Sequence, residues 1–302
     1  MGLLRRKNPD EAGRASLTAT VQPRRASAEI TDERLASAAA RALPGVVIAG
    51  CQRCGTTSLY WDLVKHPQIR QAIVKEVHFF DVNWIRGERW YRAHFPLLDE
   101  LEAARTGSRR PALAIEASPY YIFHPLAPRR IGSMLTETKF IALLRNPVDR
   151  AFSNWRRQVQ KQRESLSFEE AINAESARLA GERERMLDDE SYEGMNWRWY
   201  SYVRRGQFAE QLSEFVRHVP RERLLVLIAE ELASDPRAVY SRVIRFLGLD
   251  DYQPPDHEHR NRSSGSSLNA DTRTRLVDHF RPHNRDLYSW LGDDLSRFGW
   301  DA

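Results

Sequence analysis

Cysteine is almost absent. The 302 residues hold 2, Cys51 and Cys54, within one short stretch. That excludes a disulfide framework and makes a reducing cytoplasm the simplest compartment. Long apolar runs are missing too. No window approaches the ~18 uninterrupted apolar residues of a membrane span. Arg5, Arg6 and Lys7 have no apolar stretch behind them, so the pattern of a secretory signal fails. Arg6 also stands where a myristoylation pattern opening at Gly2 needs Ser or Thr. Excess charge of one sign is small. Lys and Arg number 46 against 41 for Asp and Glu, a net +5 at pH 7. So slight a balance does not call for nucleic acid, although a pI near 9.3 suits an anionic ligand.

What is present is a globular composition, 41% hydrophobic and 10% aromatic. Residues 1–43 are polar and rich in Arg, Ala, Ser and Thr. They read as an N-terminal extension, disordered over 1–27, with a short helix over 31–42 capped by Thr31. Beyond Pro44, apolar runs at 46–50, 112–116, 139–145 and 224–228 read as strands. They alternate with helical patterns at 58–65, 125–134, 148–162, 200–218 and 235–247, the last closed by Gly248. Ser167-Phe168-Glu169-Glu170 is a capping-box signature for a further helix. Asp271 caps another over 271–280, and 284–291 adds one more. The alternation predicts an α/β fold with a central parallel sheet flanked by helices, in one domain over 44–302. The span 161–192 is so charged that it is expected to lie exposed, within a helical lid or acceptor-side region at about 155–206.

The stretch Val46-Val47-Ile48-Ala49-Gly50-Cys51-Gln52-Arg53-Cys54-Gly55-Thr56-Thr57-Ser58-Leu59 reads as buried strand, tight loop and helix N-terminus. Such a loop aims free N–H groups and the positive end of a helix at one spot, a ready anion site. Gly50 and Gly55 have the spacing of a nucleotide-hydrolysing P-loop, but Thr56 stands where its lysine belongs. The strand over 140–144 ends in Arg145, where such proteins carry an acid for Mg²⁺. Glu230 and Glu231 follow the last strand and leave a metal open. The pattern fits a nucleotide with two separate anionic groups.

Several separated motifs then match one family in its own order. They are Gly-Cys-Gln-Arg-Cys-Gly-Thr-Thr-Ser-Leu at 50–59, Lys-Glu-Val-His-Phe-Phe-Asp at 75–81 and Glu-Ala-Ser-Pro-Tyr-Tyr at 116–121. Leu-Leu-Arg-Asn-Pro-Val-Asp-Arg-Ala-Phe-Ser-Asn at 143–154 and Phe-Arg-Pro-His-Asn-Arg-Asp-Leu at 280–287 complete the set. Over roughly 45–295 the chain resembles the sulfotransferases that use 3′-phosphoadenosine 5′-phosphosulfate (PAPS), most closely the carbohydrate, heparan-sulfate type. The resemblance implies the P-loop-like sulfotransferase fold and PAPS as co-substrate, without a metal. It also implies a carbohydrate, glycolipid or small-metabolite acceptor bearing a hydroxyl or amine.

Roles follow position by position from the resemblance. Gly50, Gln52, Arg53, Cys54, Gly55, Thr56, Thr57 and Ser58 would wrap the 5′-phosphosulfate. Arg53 falls where the family usually has a catalytic lysine, and would neutralise charge on the bridging oxygen. Being a permanent cation, it cannot donate a proton as lysine can. Arg145 and Ser153 match the 3′-phosphate pair, with a strand-end guanidinium and a helix hydroxyl converging on one group. Glu76 falls on the family's general base, needed because the acceptor loses a proton as it attacks sulfur. His78 lies two residues on, and an extended segment would put both on one side. Asp81 matches an acid that contacts or supports substrate. Arg260 and Arg262 are candidates for a loop over the nucleotide, and Tyr192, Trp197, Arg198, Trp199 and Tyr200 either form a sugar platform or pack beneath the lid. Ala117 departs from the lysine that heparan-sulfate enzymes often carry there, and their C-terminal disulfide loop is absent.

Three other readings stand beside this one: a redox dithiol at Cys51-x-x-Cys54, a metal-dependent kinase or NTPase with a degenerate loop, and a nucleotide-binding module without catalysis. Arg145, Ser153 and Glu76 together argue against the last two.

Overall fold

The computed structural model describes residues 29–105, 107–256 and 268–301. The tail expected over 1–27, and Arg260 and Arg262, lie outside the described residues. Five parallel strands form one sheet in the order β2-β3-β1-β4-β5. They are β1 (Val46–Gly50), β2 (Ile69–Gln71), β3 (Leu113–Ala117), β4 (Lys139–Leu144) and β5 (Leu224–Ile228). Val46 pairs with Ile115 on one side and Lys139 on the other, so β1 is central. All five residues of β1 are buried, as a parallel strand covered on both faces requires. β2 was not legible as a strand. Its three residues are Ile, Arg and Gln, only Ile69 is buried, and so short an edge strand has no period to read.

From β1 the chain fills one side of the sheet with β2 and β3, then crosses to β4 and β5. The strand order therefore reverses at β1, and the crevice outside the carboxyl ends of β1, β3 and β4 is where such sheets bind ligands. Glycine is needed at the mouth of that crevice. A Cβ on Gly50 would lie 2.4 Å from Ile122 Cγ2, and Gly55 turns the loop into its helix at φ 92°. The helix Thr56–Leu63 follows at once, two residues earlier than its apolar pattern indicated. On the far side, Asn146 caps the helix Pro147–Gln160 by accepting from the amides of Val148 and Asp149. Asp235 and Gly248 cap the helix Pro236–Leu247 as the sequence indicated.

One segment differs from expectation. The C-terminal pair of helices is one 22-residue helix, Ala270–Leu291, capped by Asn269 rather than Asp271. Pro282 sits inside it without breaking it. Leu276, Val277 and Phe280 before the proline, and Asn284 and Leu287 after it, are buried on one continuous face. That packing outweighs the local penalty of proline. The charged span 161–192 is largely exposed, as its charge indicated, but it is anchored to the body at a few buried positions. It forms the helices Phe168–Leu179 and Glu182–Asp188, and Phe168, Ala171 and Met186 are buried. Its carboxylates find partners inside the protein. Glu164 takes Arg178 Nη1 at 2.5 Å and the Tyr202 hydroxyl at 2.8 Å. Glu175 accepts from the amides of Val203 and Arg204 at 2.7 Å each. Most of the span's charges face solvent, while the buried Glu164 and Glu175 tie it to the body.

Candidate active site

Two groups of side chains meet at the carboxyl ends of the strands. The first surrounds the loop after β1. Gly55, Thr56 and Thr57 open a helix, where the first N–H groups have no intrahelical acceptor. Other amides of the stretch are already engaged. Cys51 N donates to Leu143 O, Cys54 N to Cys51 O and Ser58 N to Gly55 O. The cradle is thus narrower than the run 50–58. Cys54 is fully buried with its Sγ directed at Gln52 O, and burial pushes its thiol well up, which makes it inert. Gln52 Oε1 accepts from Arg205 Nη1. Arg205 is wholly buried, lies over the rings of Tyr120 and Phe123, and is pulled down to about 9 by burial. It anchors the loop from beneath.

Arg53 adopts φ 70°, and this left-handed turn brings its Nε to Ser153 Oγ at 3.0 Å. Arg145 Nη1 reaches Arg53 O at 3.4 Å. Burial and the neighbouring Arg157 and Arg145 lower the Arg53 pKa, as like charges held together do. A cluster of guanidiniums under mutual repulsion favours an anion among them. The structure thus joins Arg53, Arg145 and Ser153. The acid that left a metal open is employed otherwise: Glu230 Oε1 accepts from Asn146 N at 2.8 Å. Glu231 pairs with Arg242 at 2.7 Å.

The second group follows β2. Lys75 O accepts from Ala117 N at 3.1 Å, which fixes the segment beside the end of β3. Lys75 Nζ lies 3.3 Å from Thr57 Oγ1 and 3.2 Å from Glu76 Oε1. Glu76 Oε2 lies 3.3 Å from His78 Nε2, and His78 Nδ1 lies 2.6 Å from Asp81 Oδ2. Glu76 and His78 share a site as expected, but for a different reason. The segment is not extended at His78, which has φ 54° and opens the helix Phe79–Val82.

A buried network holds that turn. Ser118 Oγ accepts from His78 N at 3.1 Å and the Tyr121 hydroxyl accepts from Phe79 N at 2.8 Å. Both hydroxyls donate to Glu116 Oε1, at 2.7 and 2.6 Å. Tyr91 donates to Glu116 Oε2.

The electrostatics assign a charge to His78. Burial alone would lower its pKa, but Asp81 and Glu76 outweigh it and raise the ring to about 9. Burial likewise opposes the Asp81 charge, and His78 reverses that, holding Asp81 down at about 2. Both ring nitrogens face carboxylates, so the imidazolium donates twice. It is then unable to accept a proton near neutral pH, which leaves Glu76 as the only carboxylate of the trio with solvent exposure, at 27% of its side chain. Asp81, expected to contact or support substrate, has a side chain with 0% exposure and stands against His78.

For Trp197 the structure favours the second of its two readings. It is buried at 6% exposure and stacks on Phe123 at 4.9 Å, so it packs rather than offering a platform. Tyr200 donates to Arg163 O at 2.8 Å, and Arg178 lies over its ring. What the helix Met195–Tyr200 does send toward the site is Arg198, whose Nη2 comes within 3.5 Å of His78 Nε2. Sequence reasoning gave no role to Lys75, Arg205 or the Glu116 hydroxyl network, and placed Arg198 only among the residues of the sugar platform. Lys75 carried a signal in its adjacency to Glu76, but neighbours in an extended strand project oppositely, which hid it.

A doubly sided crevice at the switch point, an anion loop and a paired carboxylate define an α/β group-transfer enzyme acting on an anionic donor. Comparison with known proteins gives the class a family. The sulfotransferase domain profile matches residues 43–273. Mouse heparan sulfate glucosamine 3-O-sulfotransferase 3A1 is 30% identical over 318 residues, covering 97% of this chain and 72% of the relative. Human heparan sulfate glucosamine 3-O-sulfotransferase 3B1 is 28% identical, covering 97% and 75%. A sulfotransferase structure from Alicyclobacillus acidocaldarius superposes with a TM-score of 0.63 at 31% identity, covering 86% of this chain and all of the other. The chain belongs to the sulfotransferase family and is an enzyme of that type. The kinase or NTPase reading is not favoured. Among the described residues, no helix is long and apolar enough to cross a membrane.

Proposed function

We propose that the protein transfers the sulfuryl group of PAPS to a hydroxyl of a carbohydrate acceptor. The carrying observation is the bridge Thr57–Lys75–Glu76, which links the anion loop to the exposed carboxylate within 3.3 and 3.2 Å. Donor and base are thereby adjacent, as in-line displacement demands. The amides opening the helix Thr56–Leu63, with Thr56, Thr57 and Ser58, hold the 5′-phosphosulfate. Arg145, Ser153 and Arg53 take the 3′-phosphate. Glu76 accepts the acceptor proton as the hydroxyl oxygen attacks sulfur. His78 and Asp81 orient Glu76 and keep it ionised. Fixed cations supply the charge neutralisation, without a metal. The relatives named for glucosamine 3-O-sulfation support a sugar hydroxyl as acceptor, and the approach of Arg198 to His78 at 3.5 Å supports an acceptor-side role for the region 155–206. Two unpaired, buried cysteines support a cytoplasmic setting.

Calorimetry and labelled-donor turnover test this. Adenosine 3′,5′-bisphosphate is expected to bind without Mg²⁺, and far more tightly than ATP. Glu76→Gln is expected to lower turnover at least about 10²-fold with bisphosphate affinity intact. Mg²⁺-dependent ATP binding in place of bisphosphate binding would overturn the proposal.

A further inference from the structure

We infer that Lys75, not the loop cation Arg53, is the catalytic cation of sulfuryl transfer. This role rests on the sulfuryl-transfer reading above. A loop with this architecture has one cation of its own, Arg53, and its left-handed backbone commits Nε to Ser153 at 3.0 Å. That turns the guanidinium toward the Arg145 side of the crevice. Lys75 enters from the other side of the crevice, from the segment after β2. Its carbonyl is tied to Ala117 N at 3.1 Å, and its ammonium stands over the Tyr60 ring at 5.7 Å. The side chain is 17% exposed, enough for the ammonium to meet a ligand. It touches the donor side through Thr57 Oγ1 at 3.3 Å and the acceptor side through Glu76 Oε1 at 3.2 Å. The sulfuryl group travels between those two ends, so a cation in contact with both lies alongside its path. An ammonium has three donors, and these contacts use two.

In the step itself, the acceptor oxygen forms a bond to sulfur while its proton passes to Glu76. The bond between sulfur and the bridging oxygen breaks, and its electron pair stays on the 5′-phosphate. Lys75 donates a hydrogen bond to that oxygen as its charge grows and keeps its own proton. The proton on Glu76 is later released to solvent, so the balance is donor plus alcohol giving bisphosphate, sulfate ester and H⁺.

The test compares wild type, Lys75→Met and Lys75→Arg. Bisphosphate binding is measured by calorimetry, and labelled PAPS turnover with a heparan-type oligosaccharide and with water. Lys75→Met is expected to lower kcat about 10²–10³-fold, the loss typical of one charge-stabilising donor, with bisphosphate affinity unchanged. Lys75→Arg, which keeps the charge and guards against a folding defect, is expected to recover at least about tenfold of that loss. A Lys75→Met kcat near wild type overturns the inference. So does a loss of bisphosphate affinity matching the loss of kcat, since that marks ground-state binding. A wild-type chain that neither binds the bisphosphate nor consumes PAPS removes the sulfuryl-transfer reading, and the role of Lys75 with it. Normal wild-type turnover beside an unaffected Lys75→Met removes the role of Lys75 alone.

Discussion

Replacing Asp81 with Asn should discharge His78. In the wild type, Asp81 Oδ2 sits 2.6 Å from Nδ1 and Glu76 Oε2 sits 3.3 Å from Nε2. Burial and Arg198 both work against the imidazolium, and the carboxylates still raise it from 6.5 to about 9. That difference of ~2.5 units, at ~1.36 kcal/mol each, amounts to about 3 kcal/mol in favour of the charged ring. The depression of Asp81 to about 2 is the same interaction seen from its partner, and is counted once. Asn keeps the shape and removes the charge, while the burial and Arg198 remain. In Asp81→Asn, His78 is therefore expected to titrate at 6.5 or below, read by NMR from the ring protons and assigned with His78→Gln.

The sign for stability follows from linkage. A raised histidine pKa gives a contribution fully present below 6.5 and lost as pH rises through about 9. A depressed carboxylate pKa gives one present above 3.8 and lost as pH falls through about 2. Wild type should lose its advantage over Asp81→Asn between pH 6.5 and about 9, as followed by denaturant unfolding. A wild-type ring titrating near 6.5, or a variant ring still near 9, would refute the double-carboxylate explanation.

Two further expectations concern the nucleotide pocket and the charged helices. Arg145→Ala should weaken adenosine 3′,5′-bisphosphate by about 10–100-fold, the worth of charge-assisted bonds to one phosphate, and leave the 5′-monophosphate nearly unchanged. Equal losses for both nucleotides in calorimetry would contradict the 3′-phosphate assignment. Met186→Ala should cost about 2–5 kcal/mol in thermal or denaturant unfolding, because Met186 is fully buried with Tyr120, Phe123 and Trp197. A loss below about 0.5 kcal/mol, the size of a surface substitution, would return this region to a loosely attached lid.

The chain's own chemistry settled a good deal. Apolar runs and the glycine pair placed β1, the anion loop and the helix after it. A parallel strand buried on both faces, and a loop that must turn at φ 92°, leave little choice of residue. Arg145 and Ser153 were legible because a strand end and the following helix fix their geometry locally. The family motifs supplied Glu76, His78 and Asp81 as a set.

Tertiary structure decided what depends on contacts between distant segments. Whether Pro282 ends a helix depended on the face buried around it, and how the exposed span 161–192 is anchored depended on where Glu164 and Glu175 found partners. The turn at His78 and Phe79 is held by Ser118 and Tyr121, forty residues from His78 and forty-two from Phe79 along the chain. Arg53 reaches Ser153 across a hundred residues, and Lys75 meets Thr57 from the segment after β2. Local sequence specifies which residue types a loop holds. Only the folded sheet, by setting its strand ends side by side, determines which charge faces which.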